Sequence, residues 1–303
     1  MKVYNSIEDF SLNSNVVLTI GTFDGVHLGH QSIINSLNRK ASLINGESVL
    51  LTFDPHPRHV LFPNDHGLKL LNTIEERVEL LRNYGLNNLI IQKFTSEFSR
   101  IRPENFIRDV VYNKLSVHTL VVGYDHHFGK NREGSFKELQ SLSELYGFDL
   151  EEIPAREQDA VTISSTKIRN LLKNGDINQA NKFLGYNYIF SGTVIHGKKL
   201  GRTIGFPTAN IKIKGTKLLP YAGVYAVRIN LDQVEYYGML NIDLNTFNPE
   251  VHIFDFSNDI YGKEIRIEII SFIREGKKMD NIDILKKQLI KDDQFCRKLF
   301  KII

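Results

Sequence analysis

The sequence predicts two differently built parts: an α/β domain on a parallel sheet, then an antiparallel β-sheet or small barrel that ends in a helix. Two observations carry this. Over residues 1 to about 175, short β-branched runs alternate with stretches of helical spacing. That alternation builds a parallel sheet with helices on both faces. From about residue 185 the segments become strands, with Gly, Asn and Asp in the turns between them, as in antiparallel sheets and barrels. A length of 303 residues is enough for two cores.

The first strand candidate is Val16–Ile20, an apolar β-branched run, and Gln31–Leu43 after it has apolar residues at helical spacing. Ser48–Phe53, Asn88–Phe94, Thr119–Gly123 and Phe148–Ile153 read as further strands, and Ile74–Tyr84, Pro103–Tyr112 and Ser135–Tyr146 as the helices among them. A short helix starts at Ser165, and the join falls near Ile177–Gly185, dividing 1–180 from 185–303. The second part offers strands at Tyr188–Ile195, Gly223–Leu231, Val234–Asn241, Glu250–Phe256 and Glu264–Ile273. An amphipathic helix over about Ile282–Phe300, with lysines on its polar side, closes the chain.

Net charge is only +3, and no long block of like charge stands out, so nucleic acid and anionic membrane are not expected partners. The first residues have no apolar core of a signal peptide, and no run reaches the roughly 18 apolar residues of a membrane helix. Cys296 is the one cysteine, which fits a reducing compartment and a cytoplasmic protein.

The stretch Gly21-Thr-Phe-Asp24-Gly-Val-His27-Leu-Gly29-His30 sits where the first strand turns into a helix. There α/β folds hold phosphate groups, on free N–H groups and the positive end of a helix dipole. Three further segments accompany it: Thr52-Phe-Asp54-Pro-His56-Pro57, Gly123-Tyr-Asp125-His-His-Phe-Gly129-Lys-Asn-Arg132-Glu-Gly134, and Ile163-Ser164-Ser165-Thr166-Lys167-Ile168-Arg169. Together they suit attack on a nucleoside triphosphate, which needs alignment and stabilised oxygens more than covalent help. His27 and His30 can donate to phosphate oxygens. Gly21 and Gly29 let the backbone approach. Ser164, Ser165, Thr166 and Arg169 can hold the leaving phosphates. Asp24 or Asp125 can take Mg²⁺ or a sugar hydroxyl. The Asp54-Pro-His56-Pro57 segment is either a rigid turn or a flavin contact.

These four segments, in this order, resemble the adenylyltransferase module of bacterial FAD synthetases, a member of the HxGH nucleotidyltransferase superfamily with a Rossmann-like sheet. The resemblance covers essentially residues 1–175. It implies attack of the FMN phosphate on the α-phosphorus of ATP, with release of pyrophosphate.

The second part opens with Gly192-Thr-Val-Ile-His196-Gly197-Lys-Lys199-Leu-Gly201-Arg202-Thr-Ile-Gly205-Phe-Pro207-Thr208-Ala-Asn210. Its glycines imply a loop whose backbone comes close to a ligand, with Gly197, Lys199, Gly201 and Gly205 as candidates for nucleotide phosphates. Thr208 and Asn210 put neutral oxygens on one side of an extended segment, a donor set that suits Mg²⁺ beside phosphates. Glu250 stands at the mouth of a later strand.

This part, about 185–300, resembles the riboflavin kinase module, through HGKKLGRTIGFPTAN, EVHIFDF, DIYGKEI and the REGKKMDNIDILKKQLIKD tail. The resemblance implies a six-stranded barrel that moves the γ-phosphate of ATP to the riboflavin 5′-hydroxyl. It implies Thr208 and Asn210 at Mg²⁺ and Glu250 as the base. Arg274, like Asp54 of the first part, is a candidate flavin contact. One stretch departs from the family: Asn241-Ile-Asp243-Leu-Asn245-Thr-Phe-Asn248 lacks the usual glycine and Arg-Pro and is shorter by several residues. The expected function is therefore bifunctional, with riboflavin, FMN and ATP as ligands. Two alternatives stay open: an FMN adenylyltransferase whose barrel only binds flavin, and a non-catalytic flavin-responsive regulator.

Overall fold

The computed structural model describes residues 1–12, 14–64, 67–123, 136–153, 157–158, 161–197, 200–244, 246, 248–277, 279 and 281–302. Contacts divide the chain into two compact units, Met1–Lys69 with Ile74–Ser164, and Leu70–Thr73 with Ser165–Ile303.

The first unit holds β1 (Lys2–Tyr4), β2 (Val16–Ile20), α1 (Leu28–Leu43), β3 (Glu47–Asp54), α2 (Pro57–Leu61), α3 (Ile74–Asn83) and β4 (Asn88–Lys93). It continues with α4 (Pro103–Phe106), which runs on as a π-helix over Ile107–Lys114, then β5 (Val117–Gly123), α5 (Phe136–Tyr146) and β6 (Asp149–Ile153). A small hairpin of β7 (Glu157–Gln158) and β8 (Val161–Thr162) follows. The six longer strands form one sheet in the order β1-β4-β3-β2-β5-β6, every pair parallel. The expected parallel sheet is therefore present. β1 escapes the sequence pattern because it has only three residues, two of them exposed.

All five residues of β2 are buried, as a central strand covered on both faces requires. Val16, Leu18 and Ile20 join Leu51, Ile107 and Val111 in one core cluster. Helix α1 packs on β2 and β3 and buries Ile34, Leu37 and Ala41. From β2 the chain winds outward through β3 and β4, then returns to place β5 on the other side of β2. The reversal makes a crevice at the carboxyl ends of β2 and β5, where open α/β sheets bind ligands. The loop that follows β2 lies at that point.

The second unit begins with α6 (Ser165–Lys173) and α7 (Ile177–Leu184) and continues with β9 (Tyr188–Ile195), α8 (Leu200–Thr203), β10 (Ala209–Lys212), β11 (Gly223–Leu231) and β12 (Val234–Ile242). β13 (Pro249–Ile253), β14 (Glu264–Glu275) and α9 (Ile282–Phe300) complete it. The six strands close into an antiparallel barrel in the order β10-β13-β12-β11-β14-β9. β11 and β12 meet at a two-residue turn, Asp232-Gln233, both with positive φ (51° and 66°), as the tight hairpin twist demands. Register shifts where β11 meets β14 let that pair curl toward closure. Inside lie Tyr225, Val227, Leu240, Ile242, Val251 and Ile267.

Asn181 of α7 ties the helix to the barrel: its side chain accepts from Tyr188 N at 2.7 Å and donates to Ile269 O at 3.0 Å. Leu70–Thr73 is stitched to the same unit by a bridge between Leu70 and Lys217, whose buried ammonium donates to Leu71 O. Helix α9 covers Met239 and Ala226 with Cys296 and Phe300. Its buried Asp292 receives Arg274 through Nε (3.0 and 3.1 Å) and Nη2 (2.7 Å).

Candidate active sites

In the first unit, β2 ends at Ile20 and Gly21 N donates to Leu51 O at 3.0 Å, which holds the loop to the sheet. The loop then turns sharply: Phe23, Gly25 and Val26 have φ of 49°, 91° and 35°. Two non-glycine residues in that region, one of them β-branched, mark stored backbone strain. Val26 N donates to Phe23 O at 3.1 Å, and Gln31 Nε2 donates to Val26 O at 2.8 Å. His27 caps α1, its Nδ1 accepting from His30 N at 3.4 Å.

The spacing of the two histidines brings their rings together. His27 and His30 stack with centroids 3.7 Å apart and planes 15° apart, and Phe23 stacks on the other side of His30 at 4.6 Å. Gly29 makes this possible, since a Cβ there would stand 3.2 Å from His27 Cε1 and Nδ1. Gly21 likewise leaves room for the Phe23 ring, 3.0 Å from its would-be Cβ. The two glycines thus serve ring packing inside the loop. Burial pushes the His30 imidazole well below its ordinary range, and the nearby His27 and Arg77 push the same way. Nδ1 of His30 is buried with no hydrogen-bond partner among the described residues. A neutral imidazole therefore waits at the carboxyl edge of the sheet.

Under the loop lies a charge that sequence reasoning missed. Arg77, on the buried side of α3, is 1 % exposed and donates from Nη1 to Thr52 Oγ1 at 3.2 Å. Its charge faces Asp24 and Asp54. Asp24 is itself 1 % exposed, so it faces this guanidinium more than solvent. Asp54 ends β3 at the surface, and His56 caps α2 by accepting from Arg58 N at 3.2 Å. The only signal of Arg77 in the sequence was a cation on the apolar stripe of an amphipathic helix.

The carbonyl of Ile163 stands 3.9 Å from the Cβ position of Gly29, so the start of the Ile163–Arg169 segment reaches the histidine loop. Ser164 ends the first unit, and Ser165, Thr166 and Arg169 open α6 in the second. Asp125 and Lys199 lie outside the described residues.

In the barrel, Asn210 of β10 sits opposite Glu250 of β13, and Asn241 of β12 sits on Glu250's other side. Directly opposite residues share a face. Val251 and Ile211 point into the core, so Asn210 and Glu250 point outward. Thr208, two residues before Asn210, donates to Glu250 Oε2 at 3.5 Å. Pairing thus gathers all three predicted residues on the outer face. Gly197 joins them: a Cβ there would stand 2.0 Å from Asn210 Nδ2. Gly201 approaches Phe206 O just as closely, at 2.1 Å from its would-be Cβ, which closes the turn before Pro207. Gly205 has φ of 89°. His252 holds the same turn, with Nδ1 2.7 Å from Pro207 O.

Within the departing stretch, Asp243 bonds to the described residues Thr246 and Asn248. Asp243 Oδ1 accepts from Thr246 N at 2.7 Å and from Thr246 Oγ1 at 2.9 Å, and Asp243 N donates to Asn248 O at 3.3 Å. Arg274 is bound to Asp292 and also donates from Nη1 to Glu275 O at 3.1 Å, so it clamps α9 to the barrel.

Fold and sites define an α/β nucleotidyltransferase-like unit followed by a kinase-type barrel. The family model for FAD synthetase matches residues 9–167, and that for riboflavin kinase matches 184–300. The chain is 38 % identical over 293 residues to a bifunctional riboflavin kinase/FMN adenylyltransferase of Listeria monocytogenes, covering 94 % of this chain and 93 % of that one. Proteins of the same name match at 39 % in Haemophilus influenzae (93 % and 94 % covered) and 34 % in Escherichia coli (99 % and 98 %). A solved structure titled macrolide-efflux protein from Streptococcus pneumoniae superposes with a TM-score of 0.89 at 30 % identity, covering 97 % and 98 % of the two chains. The chain belongs to the bifunctional riboflavin kinase/FMN adenylyltransferase family.

Proposed function

We propose that this chain phosphorylates riboflavin to FMN at the barrel and adenylylates FMN to FAD at the α/β unit, using ATP for both. The observation that carries the reading is the conjunction of the stacked HxGH pair at the sheet's switch point with Thr208, Asn210 and Glu250 on one barrel face. At the first site an FMN phosphate oxygen attacks the α-phosphorus, the bond to the bridging oxygen breaks, and pyrophosphate leaves. His27 and His30 donate to phosphate oxygens whose charge builds in that step. Kept neutral by burial, His30 offers its N–H without the cost of a buried charge. Ser164, Ser165, Thr166 and Arg169 hold the leaving phosphates, with Asp125 at Mg²⁺ or a sugar hydroxyl.

At the second site Glu250 accepts the riboflavin 5′-hydroxyl proton as that oxygen attacks the γ-phosphorus, the bond to the β,γ-bridging oxygen breaks, and ADP leaves. The neutral oxygens of Thr208 and Asn210 beside a carboxylate fit a hard divalent cation. Bound there with the nucleotide, Mg²⁺ supplies charge neutralisation on the phosphates. Gly197, Gly201 and Gly205, with Lys199, shape the phosphate loop. Among the described residues no helix is long and apolar enough to cross a membrane, and our reading places the enzyme in the cytoplasm.

The kinase half gains support from the intact Thr208–Glu250 contact despite the trimmed turn at Asp243. Incubating the purified chain with riboflavin and MgATP, and separately with FMN and MgATP, then separating the flavins, tests both halves. FAD from FMN without FMN from riboflavin selects a barrel that only binds flavin. Both flavins unchanged overturns the reading entirely.

A further inference from the structure

Arg77 is among the largest fully buried side chains. Its Nη1 donates to Thr52 Oγ1 (3.2 Å), and Thr52 Oγ1 donates to the carbonyl of Thr22 (3.3 Å), inside the histidine loop. Its Nε is buried with no hydrogen-bond partner among the described residues. A cation at this depth is costly, and apolar side chains of similar volume fill such space at no electrostatic penalty. Packing alone does not call for it. Two features at the loop do: strained backbone at Phe23 and Val26 that needs outside restraint, and the Asp24 carboxylate beneath it.

We infer that Arg77 is a positioning residue for adenylyl transfer: its charge and its Thr52 relay hold the Thr22–Val26 loop, and through Phe23 the stacked pair of His30 and His27. The inference rests on the adenylyltransferase reading of this site. Arg77 touches neither substrate nor reacting atom and acts through the loop. Its cation also faces His30, together with His27, while Asp24 and Asp54 offset it.

The test uses Arg77→Met, Arg77→Lys and Thr52→Val in the full chain. FMN adenylylation is resolved into kcat and KM, His30 is titrated by NMR, and riboflavin phosphorylation serves as the internal control. Thr52→Val and Arg77→Lys each break the relay, and a misplacement of about 1 Å costs about 10²-fold, so kcat should fall by that order with riboflavin phosphorylation unchanged. Arg77→Met should lose as much and also move the His30 titration upward, because a like charge that holds it down is gone. Arg77→Lys keeps the charge and should leave that titration in place. Variants that lose stability alone, with kcat and the His30 titration unmoved, overturn the inference. If Arg77→Met does not fold, the other two variants decide through kcat. A wild-type chain that makes no FAD from FMN overturns the adenylyltransferase reading instead. An unmoved His30 titration in a folded Arg77→Met overturns the charge link between these two residues, whatever the activity.

Discussion

A methyl group added at Gly197 would stand 2.0 Å from Asn210 Nδ2 and 2.5 Å from Asn210 Cγ. Ordinary contact begins at 3.4 Å, so the amide nitrogen must retreat by about 1.4 Å (3.4 − 2.0). The backbone of Asn210 cannot follow, because it is paired to Ile195 on one side and Glu250 on the other. The side chain must therefore rotate out of line with Thr208 and Glu250. A displacement of about 1 Å in a positioning group costs on the order of 10²-fold in rate. Gly197→Ala should thus lose about 10²-fold in kcat/KM for riboflavin phosphorylation. FMN adenylylation, at the other unit, should stay at the wild-type rate. Chromatography of flavins after reaction with MgATP reads both from one preparation. A variant that phosphorylates riboflavin at the wild-type rate would refute the argument that Asn210 belongs to the kinase site in this rotamer.

Four further outcomes are expected. His30→Ala should cut FAD formation by about 10²–10³-fold and spare FMN formation, while Glu250→Gln should cut FMN formation by about 10²–10⁴-fold and spare FAD; either variant losing both activities while folded contradicts the division of labour. Asp292→Ala strands the Arg274 guanidinium against the barrel and should cost about 3 kcal/mol, measured by urea unfolding followed through kinase activity; a loss below about 1 kcal/mol would show the pair behaving as an exposed one. His30 has a lowered pKa when folded, so the unfolded chain binds the extra proton first. Its contribution is nil above the ordinary imidazole value of about 6.5 and increasingly destabilising as pH falls toward the lowered value. Wild type should lose more stability than His30→Gln between about pH 7.5 and 5.5, and equal pH slopes in denaturation would exclude this.

Much of the barrel site was legible because the chemistry sits in a short stretch. Thr208 and Asn210 are two residues apart, and any extended backbone puts them on one side. Their partnership with Glu250, about forty residues on, needed strand register, which pairs Asn210 with Glu250 and not with a neighbour one step away. β10 itself read only as an extended segment after a glycine-rich turn. Arg274 shows the opposite case. Nothing in the spacing around it pointed to a partner, and long-range packing brings Asp292 of α9 within 2.7 Å of it.

The amino-acid sequence by itself determined the two architectures, the family resemblance and the His27–Gly29–His30 triplet. Those features are local: periodicity, turn residues and side chains a few positions apart. Tertiary structure alone decided how the triplet is set up. It stacked the imidazoles against Phe23, drove His30 toward its neutral form by burial, and sank Arg77 beside Asp24 under the loop. Burial and long-range contact have no signature in local spacing. Arg77 lies 47 residues beyond His30 in the chain (77 − 30), and only the sheet's strand order brings α3 beneath the loop after β2.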